Sequence, residues 1–161
     1  MADDCGFTIE GWAEFVENFE TLIENWDAKK KILLERMGNL YHRAVIPHIP
    51  VDTSRLVDNF FVFGDGIPQD YIEVGTNVHY ALYVNDGHVQ HSRFLPAERL
   101  SVGGRAKYLK GKNQKGIMLS ERYVAGKFFM EKGMSDAKPR LERLVNSFME
   151  QVAREAEGAK L

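Results

Sequence analysis

Apolar side chains near the start of the chain recur with helical spacing, and this feature most restricts the fold. Over residues 9–26 the apolar positions advance in steps of three and four: Ile9, Trp12, Phe15, Val16, Phe19, Leu22, Ile23 and Trp26. Such steps place the side chains on one helix face, which must be buried against another element. Pro47 ends the helical pattern because proline lacks a backbone donor. The pattern predicts either one helix over about residues 9–46 or two helices meeting near Asp27, with Thr8 as the N-cap.

A second amphipathic helix is predicted at the other end of the chain. We expect Ser135 or Asp136 to cap it, with Pro139 in its first turn, where proline is tolerated. Its apolar stripe comprises Leu141, Leu144, Val145, Phe148, Met149, Val152 and Ala156. Residues 1–7 are expected to be flexible and residues 158–161 to fray.

The residues between these helices favour strands. Residues 56–63 are aromatic and branched, residues 71–74 alternate in polarity, and residues 123–130 resemble a further strand. Residues 80–84 suit either a strand or one or two helical turns. We therefore predict a single α+β domain over residues 1–161. In it, a small antiparallel sheet packs against a long N-terminal helix (or two) and a C-terminal helix.

Helical and strand periodicity are both lost over residues 88–120. This segment contains Gly103, Gly104, Gly111 and Gly116 and predicts a long loop rich in basic residues. Structureless segments of this length inside a compact domain are uncommon and are usually functional or disordered. The segment is therefore a candidate for contact with a partner.

Charge is divided along the chain, although the total of 21 Lys and Arg against 23 Asp and Glu gives a net charge of only −2. Residues 3–27 contain eight acidic and no basic residues, whereas residues 99–115 contain six basic and no acidic residues. The acidic interface candidates are Glu14, Glu17, Glu20 and Glu24. The basic candidates are Arg99, Arg105, Lys107, Lys110, Lys112 and Lys115. The net charge argues against a bulk polyanion binder, but the basic segment could contact phosphate or an acidic protein surface, or be a solvated loop.

No group of residues indicates catalysis or metal binding. His88 and His91 would suit a metal only on a helix, which Gly87 disfavours, so solvated loop histidines are the simpler interpretation. Asp52-Thr53-Ser54 has only a superficial likeness to the Asp-Thr-Gly of retroviral-type proteases. We therefore predict no enzymatic activity, no cofactor and no metal.

The sequence also limits the expected cellular location. Cys5 is the single cysteine, which excludes a disulfide within the chain. No apolar run approaches the ~18 residues of a membrane span. The first residues, Met-Ala-Asp-Asp, lack the basic and apolar regions of a signal peptide. We expect synthesis in a reducing cytoplasm.

Three short motifs occur in order between the terminal helices. They are Pro-Val-Asp-Thr-Ser-Arg-Leu at 50–56, Val-Gly-Thr-Asn-Val-His-Tyr-Ala-Leu-Tyr-Val-Asn-Asp-Gly-His at 74–88, and Val-Ala-Gly-Lys-Phe-Phe-Met at 124–130. Over about residues 30–157 the chain resembles the tail-completion or head–tail joining proteins of tailed bacteriophages, which also occur in prophages. Two positions depart from the family pattern: Ser54 replaces a glycine, and Asn85-Asp86 replaces Glu-x before Gly87.

The resemblance implies a structural virion protein without catalysis. Such subunits are expected to form rings, commonly sixfold, at the junction of tail and head connector. The implied partners are copies of the chain, tail-tube or tail-terminator proteins and head-connector proteins, with a passing contact with phage DNA and no membrane. The motif positions expected to be structural are Pro50, Asp52, Thr53, Leu56, Gly75, Tyr80, Tyr83, Gly87 and Gly126.

Two hypotheses follow for the charged segments. In the first, the acidic helix of one subunit lies near the basic loop of the next, because their charges are opposite and concentrated. In the second, the basic loop faces DNA in the lumen of the ring. The alternative to a neck protein is a cytoplasmic nucleic-acid-binding module that uses residues 99–115.

Overall fold

The computed structural model describes residues 12–52, 54–102, 105–106 and 115–158. These residues confirm the α+β class, with five α-helices and four two-stranded antiparallel sheets. The chain divides into two compact units, a first unit of residues 1–77 and 130–161 and a second unit of residues 78–129. The single-domain organisation stays a prediction, and each unit is described by itself.

The predicted N-terminal helical region consists of two helices, α1 (Trp12–Glu24) and α2 (Trp26–Val45). They meet at Asn25, where the backbone amide and the side-chain amide both donate to the carbonyl of Thr21, at 3.2 and 2.9 Å. A short polar side chain that bonds to the backbone in this way competes with helix continuation. Of the two arrangements that the periodicity allowed, the pair of helices is therefore confirmed.

The first unit also contains a small sheet that packs on α2. Strand β1 (Phe60–Phe63) pairs antiparallel with β2 (Glu73–Thr76). Gly38 of α2 is buried against this sheet, and a Cβ at that position would lie 2.7 Å from Ile72 Cδ1 and 2.8 Å from Val62 Cγ1. His42, one turn further along α2, donates from Nε2 to the carbonyl of Phe60 at 2.8 Å. The missing side chain at residue 38 lets the helix approach the sheet closely.

The strand predicted over residues 56–63 begins only at Phe60 in the structure, so the predicted start was wrong. The structure has a single helical turn, α3 (Arg55–Asp58), before β1. The Asp58 amide donates to the carbonyl of Ser54 at 2.9 Å and closes this turn, which buries Leu56. The apolar residues at the start of the segment therefore belong to a helical turn. Composition alone does not distinguish such a turn from the start of a strand.

The C-terminal helix α5 spans Phe129–Ala156 and begins well before the predicted caps at Ser135 and Asp136. Pro139 consequently lies inside the helix and not in its first turn. Ala137 is fully buried, and a Cβ on Gly133 would lie 2.4 Å from Val45 Cγ2 of α2. This packing outweighs the hydrogen bond that proline cannot donate, so the capping residues Ser135 and Asp136 predicted the helix start too late.

The second unit is built from one helix and a series of strand pairs. Its elements are α4 (Ala81–Asp86), β3 (Gly87–Gln90), β4 (Arg93–Pro96), β5 (Ser101–Val102), β6 (Arg105–Ala106), β7 (Gly116–Leu119) and β8 (Arg122–Ala125). The antiparallel pairs are β3 with β8, β4 with β7, and β5 with β6. Of the two options for residues 80–84, the helical one is confirmed.

These strands correct the expectation of a loop over residues 88–120. Partners such as Val89 and Tyr123, or Phe94 and Met118, lie far apart in the sequence. A two-stranded ribbon has no second layer that would bury one of its faces, so in–out alternation is weak along each strand. Local periodicity therefore did not predict this pairing.

Candidate interaction surfaces

The acidic candidates lie on α1. Glu14, Glu17, Glu20 and Glu24 are all exposed. Across the described part of the chain, none of the four forms an ion pair. Their carboxylates therefore face solvent, and their role in an interface stays a prediction.

Beside these carboxylates, the apolar face of α1 is only partly covered. A groove, called here the α1 groove, is lined by Phe19, Leu22, Ile23, Trp26, Asp27 and Val152, the last from α5. Leu22 is buried, but Phe19 is 45% exposed and Ile23 60% exposed. The Trp26 ring packs against Phe148 with 6.2 Å between ring centroids and anchors the start of α2 to α5. Exposed large apolar side chains grouped in this way indicate an interaction site.

The basic candidates belong to the second unit. The backbone places Arg99 in a short 3₁₀ turn over Ala97–Leu100 and Arg105 in β6. Lys115 is exposed just before β7. Lys107, Lys110 and Lys112 lie outside the described residues.

The division into units coincides with a division of charge. The second unit has nine Lys and Arg against three Asp and Glu, a net charge of +6. The first unit has 12 against 20, a net charge of −8. Along the sequence, the separation of acidic from basic residues is evident only in two short segments, 3–27 and 99–115. At the scale of the units, each compact part of the chain has a net charge of its own sign.

The ribbon of β4 and β7 has an apolar patch, called here the ribbon patch and defined by Phe94 and Met118. The two residues are direct partners in the antiparallel register, so their side chains stand on the same face. Phe94 is 53% exposed and Met118 70% exposed. Arg93 and Lys115, also exposed, lie beside this patch in the sequence. Sequence reasoning missed it because the register joins residues that are not near one another along the chain.

A second groove in the first unit, called here the arginine groove, also went unpredicted. It lies between α2 and α5 and is lined by Arg36, Asn39, Leu40, Arg43, Arg140 and Leu144. Within the described structure, none of its three arginines forms an ion pair. The spacing of Arg36 and Arg43 already places both on one face of a helix. Only the packing of α5 adds Arg140.

The motif glycines are explained by close backbone contacts at the end of α4. Gly87 has a φ of +87°, and a Cβ there would lie 2.6 Å from the carbonyl oxygen of Val124. A Cβ on Gly126 would lie 2.2 Å from the carbonyl oxygen of Asn85. The amide of Lys127 donates to Val84, and that of Phe128 donates to Asn85, at 2.9 and 3.0 Å. Two motifs from distant parts of the sequence therefore meet in one backbone junction.

The other motif positions have mixed environments. Leu56 is buried in α3, while Tyr80 is half-buried and directly precedes α4. Tyr83 is exposed, and its ring meets that of His88 edge-on at 5.8 Å. The remaining positions are exposed or open: Pro50 and Asp52 are exposed, Gly75 in β2 has open space at its Cβ position, and Thr53 lies outside the described residues.

The histidine pair is not on a helix. His88 lies in β3, and His91 is exposed just after it. The described residues contain no group of three or more His, Cys, Asp or Glu arranged to hold a metal ion. None of the described helices is long and apolar enough to cross a membrane.

A family model matches the N-terminal part of the chain, and one relative matches most of it. Residues 13–87, from α1 to the end of the second motif, match the family described as "Bacteriophage HK97-gp10, putative tail-component". The chain is also 28% identical over 163 aligned residues to the uncharacterized protein YqbI of Bacillus subtilis (strain 168), covering 89% of this chain and 95% of YqbI. No solved structure matches the chain.

The family match includes the first motif and the second as far as Gly87, whereas the third motif, at 124–130, lies outside it. It spans α1 and α2, the sheet of β1 and β2, and the junction at Gly87. Residues 13–87 of this chain are therefore similar to a family of phage tail components, the HK97-gp10-like family.

Proposed function

We propose that this chain is a structural subunit of the neck of a phage, prophage or phage-like particle. In this role it forms a ring that completes the tail and joins it to the head connector. The match to a tail-component family supports a place in the virion, and the order of the three motifs favours the neck. The subunit would reside in the host cytoplasm before assembly.

The observation that carries this proposal is the opposite charge of the two units, −8 and +6. A chain with two different and complementary surfaces can contact a second copy head to tail. Such heterologous contacts generate a ring when the rotation between copies closes. We expect six copies, together with tail-tube or tail-terminator proteins and head-connector proteins as further partners.

The proposed role depends on shape and charge and requires no catalysis. We accordingly propose that the chain is not an enzyme and uses no cofactor. DNA passing through the ring would contact it only in transit.

The test is a reconstitution with the full chain. We expect native mass spectrometry and negative-stain microscopy to show closed rings, either of the chain alone or after mixing with tail and connector proteins. Particles lacking this protein should have tails that do not join heads, and the purified chain should restore joining. Wild-type protein that remains monomeric with both partners and fails to restore joining would contradict the proposal.

The second candidate function is a nucleic-acid-binding module, favoured by the net charge of +6 on the second unit. Such a module should bind duplex DNA as a monomer, with an affinity that falls steeply as salt increases. Tight binding at physiological salt, together with absence of the protein from particles, would favour this candidate over the neck subunit.

A further inference from the structure

We propose that the ribbon patch of one copy docks into the α1 groove of the next copy. This inference rests on the proposed function and deepens it, because it names the two surfaces that join neighbours. Each surface is an exposed apolar patch, and the two units that carry the patches have net charges of opposite sign, −8 and +6.

The α1 groove supplies an apolar floor with an acidic rim. Phe19, Ile23 and Trp26 are exposed along it, and Asp27, which pairs with Lys30 at 3.2 Å, lies among the residues that line it. Glu20 and Glu24 follow on the neighbouring flank of α1, because residues one position beyond an apolar residue are rotated by about 100° around the helix axis. Neither carboxylate forms an ion pair within the described residues.

The ribbon patch supplies the matching surface. Phe94 and Met118 stand side by side on one face of the two-stranded ribbon. Isolated two-stranded sheets are marginally stable in water and gain stability when their apolar face packs against a helix. Arg93 directly precedes Phe94 in β4 and so faces the other side of the ribbon, and Lys115 lies just before β7; their positive charge belongs to the ribbon as a whole and not to its apolar face.

The occupant of the α1 groove is therefore a second copy of this chain, chosen by the charge complementarity of the two units. An aromatic ring and a flexible methionine are residue types that are enriched at protein interfaces. The opposite net charges of the two units would favour this orientation and increase the rate of encounter. Because the two surfaces differ, the contact is head to tail, as ring closure requires.

The direct test is a disulfide between two different copies. In a Cys5→Ser background, one protein carries Ile23→Cys and a second carries Met118→Cys. Because each chain then has a single cysteine, a mixed disulfide forms only between copies. We expect mixing under mild oxidation to give mainly the heterodimer, measured by intact mass. A matched control replaces Ile23→Cys with Asn39→Cys in the arginine groove and should give little product.

Charge reversal provides the second measurement. Glu20→Lys with Glu24→Lys, or Arg93→Glu with Lys115→Glu, should each weaken self-association about tenfold or more in sedimentation experiments. Mixing the two variants should restore association, because their altered surfaces are complementary. The control, Arg36→Glu with Arg140→Glu, reverses two charges in the arginine groove and should leave association unchanged. Circular dichroism verifies that each variant is folded.

The outcomes separate this inference from the proposed function. Rings that form without the mixed disulfide, or that respond only to charges in the arginine groove, overturn the docking and leave the neck role standing. If the Ile23→Cys protein or the Met118→Cys protein forms disulfide-linked homodimers in preference to the heterodimer, the contact is symmetric and the docking is also overturned. Wild-type protein that never assembles, even with tail and connector proteins, contradicts the proposed function itself.

Discussion

Gly126 and Gly87 show how single residues hold the end of α4 against β8. Any side chain at residue 126 would meet the backbone at Asn85 and Asp86, and backbone atoms cannot move aside as the end of a flexible side chain can. The contact explains why both positions are glycine, since only glycine lacks a Cβ.

We predict that Gly126→Ala lowers the free energy of unfolding by about 2 kcal/mol, because the new methyl group forces this junction apart. The matched control is Gly75→Ala, where nothing lies within 4 Å of the Cβ position. That change should raise stability by roughly 0.5 kcal/mol, since alanine loses less entropy than glycine when a strand forms. Urea unfolding of both variants makes the comparison, and equal midpoints would contradict the explanation.

Ser54 occupies the position where the family pattern has glycine, and its φ of 58° lies in the left-handed region. The serine retains the backbone conformation that glycine adopts without strain. Its hydroxyl donates to Asp58 Oδ2 at 2.6 Å across the turn of α3. The departure from the family pattern therefore leaves the local conformation favourable to glycine.

We predict that Ser54→Gly is more stable than Ser54→Ala by about 1 kcal/mol, because only the alanine has a Cβ in the left-handed conformation. Both variants lose the hydroxyl, so the comparison isolates backbone strain. Thermal unfolding of the two proteins measures the difference. A more stable alanine variant would show that residue 54 does not adopt this conformation in solution.

At the scale of elements, α2 and α5 are joined by an ion pair between Lys29 and Glu155, with 2.5 Å between Nζ and Oε2. The hydrogen bond from Lys29, followed by one from Gln151, lowers the pKa of the Glu155 carboxyl below its ordinary value. A carboxyl whose pKa is lower in the folded state stabilises the fold above its unfolded pKa. That contribution is lost as the pH falls through the folded pKa.

We predict that Lys29→Met costs about 0.5 kcal/mol of unfolding free energy at pH 7, as is typical of partly exposed pairs. The cost should diminish as the pH falls through the lowered pKa of Glu155, because the carboxyl then becomes protonated in the folded state as well. Lys138→Met on α5, where the lysine is exposed, serves as a control for loss of charge. A cost of Lys29→Met that is the same at pH 7 and pH 3 would contradict an electrostatic role.

At the scale of the whole molecule, the opposite net charges of the two units determine how self-association should depend on salt. If neighbours meet through opposite charges, association should weaken as ionic strength rises, because salt screens exposed charges over a Debye length of about 10 Å at 0.1 M. Both the docking of the ribbon patch and the earlier hypothesis about the basic segment share this expectation.

We predict that charge reversal at Lys107, Lys110 and Lys112 weakens assembly, most visibly at low salt. Sedimentation at two salt concentrations measures the effect, and Lys132→Glu on exposed α5 surface is a control in the first unit. Assembly that is unchanged by the triple reversal would exclude the basic segment as a contact between neighbours.

The sequence alone determined the α+β class, the presence of helices near both ends of the chain, and the division of charge. These properties follow from local spacing and from composition, which do not depend on distant residues. Apolar steps of three and four define α1 and α2 whatever packs against them. The three ordered motifs likewise pointed to a phage structural protein before any contact was known.

Tertiary structure alone decided where α5 begins, how residues 88–120 pair, and which surfaces remain uncovered. Each depends on contacts between residues distant in sequence, such as Val45 with Gly133 or Phe94 with Met118. Burial against a partner can outweigh an internal proline, and strand pairing can order a segment that has no periodicity of its own. For that reason the ribbon patch and the α1 groove became visible only in the folded chain.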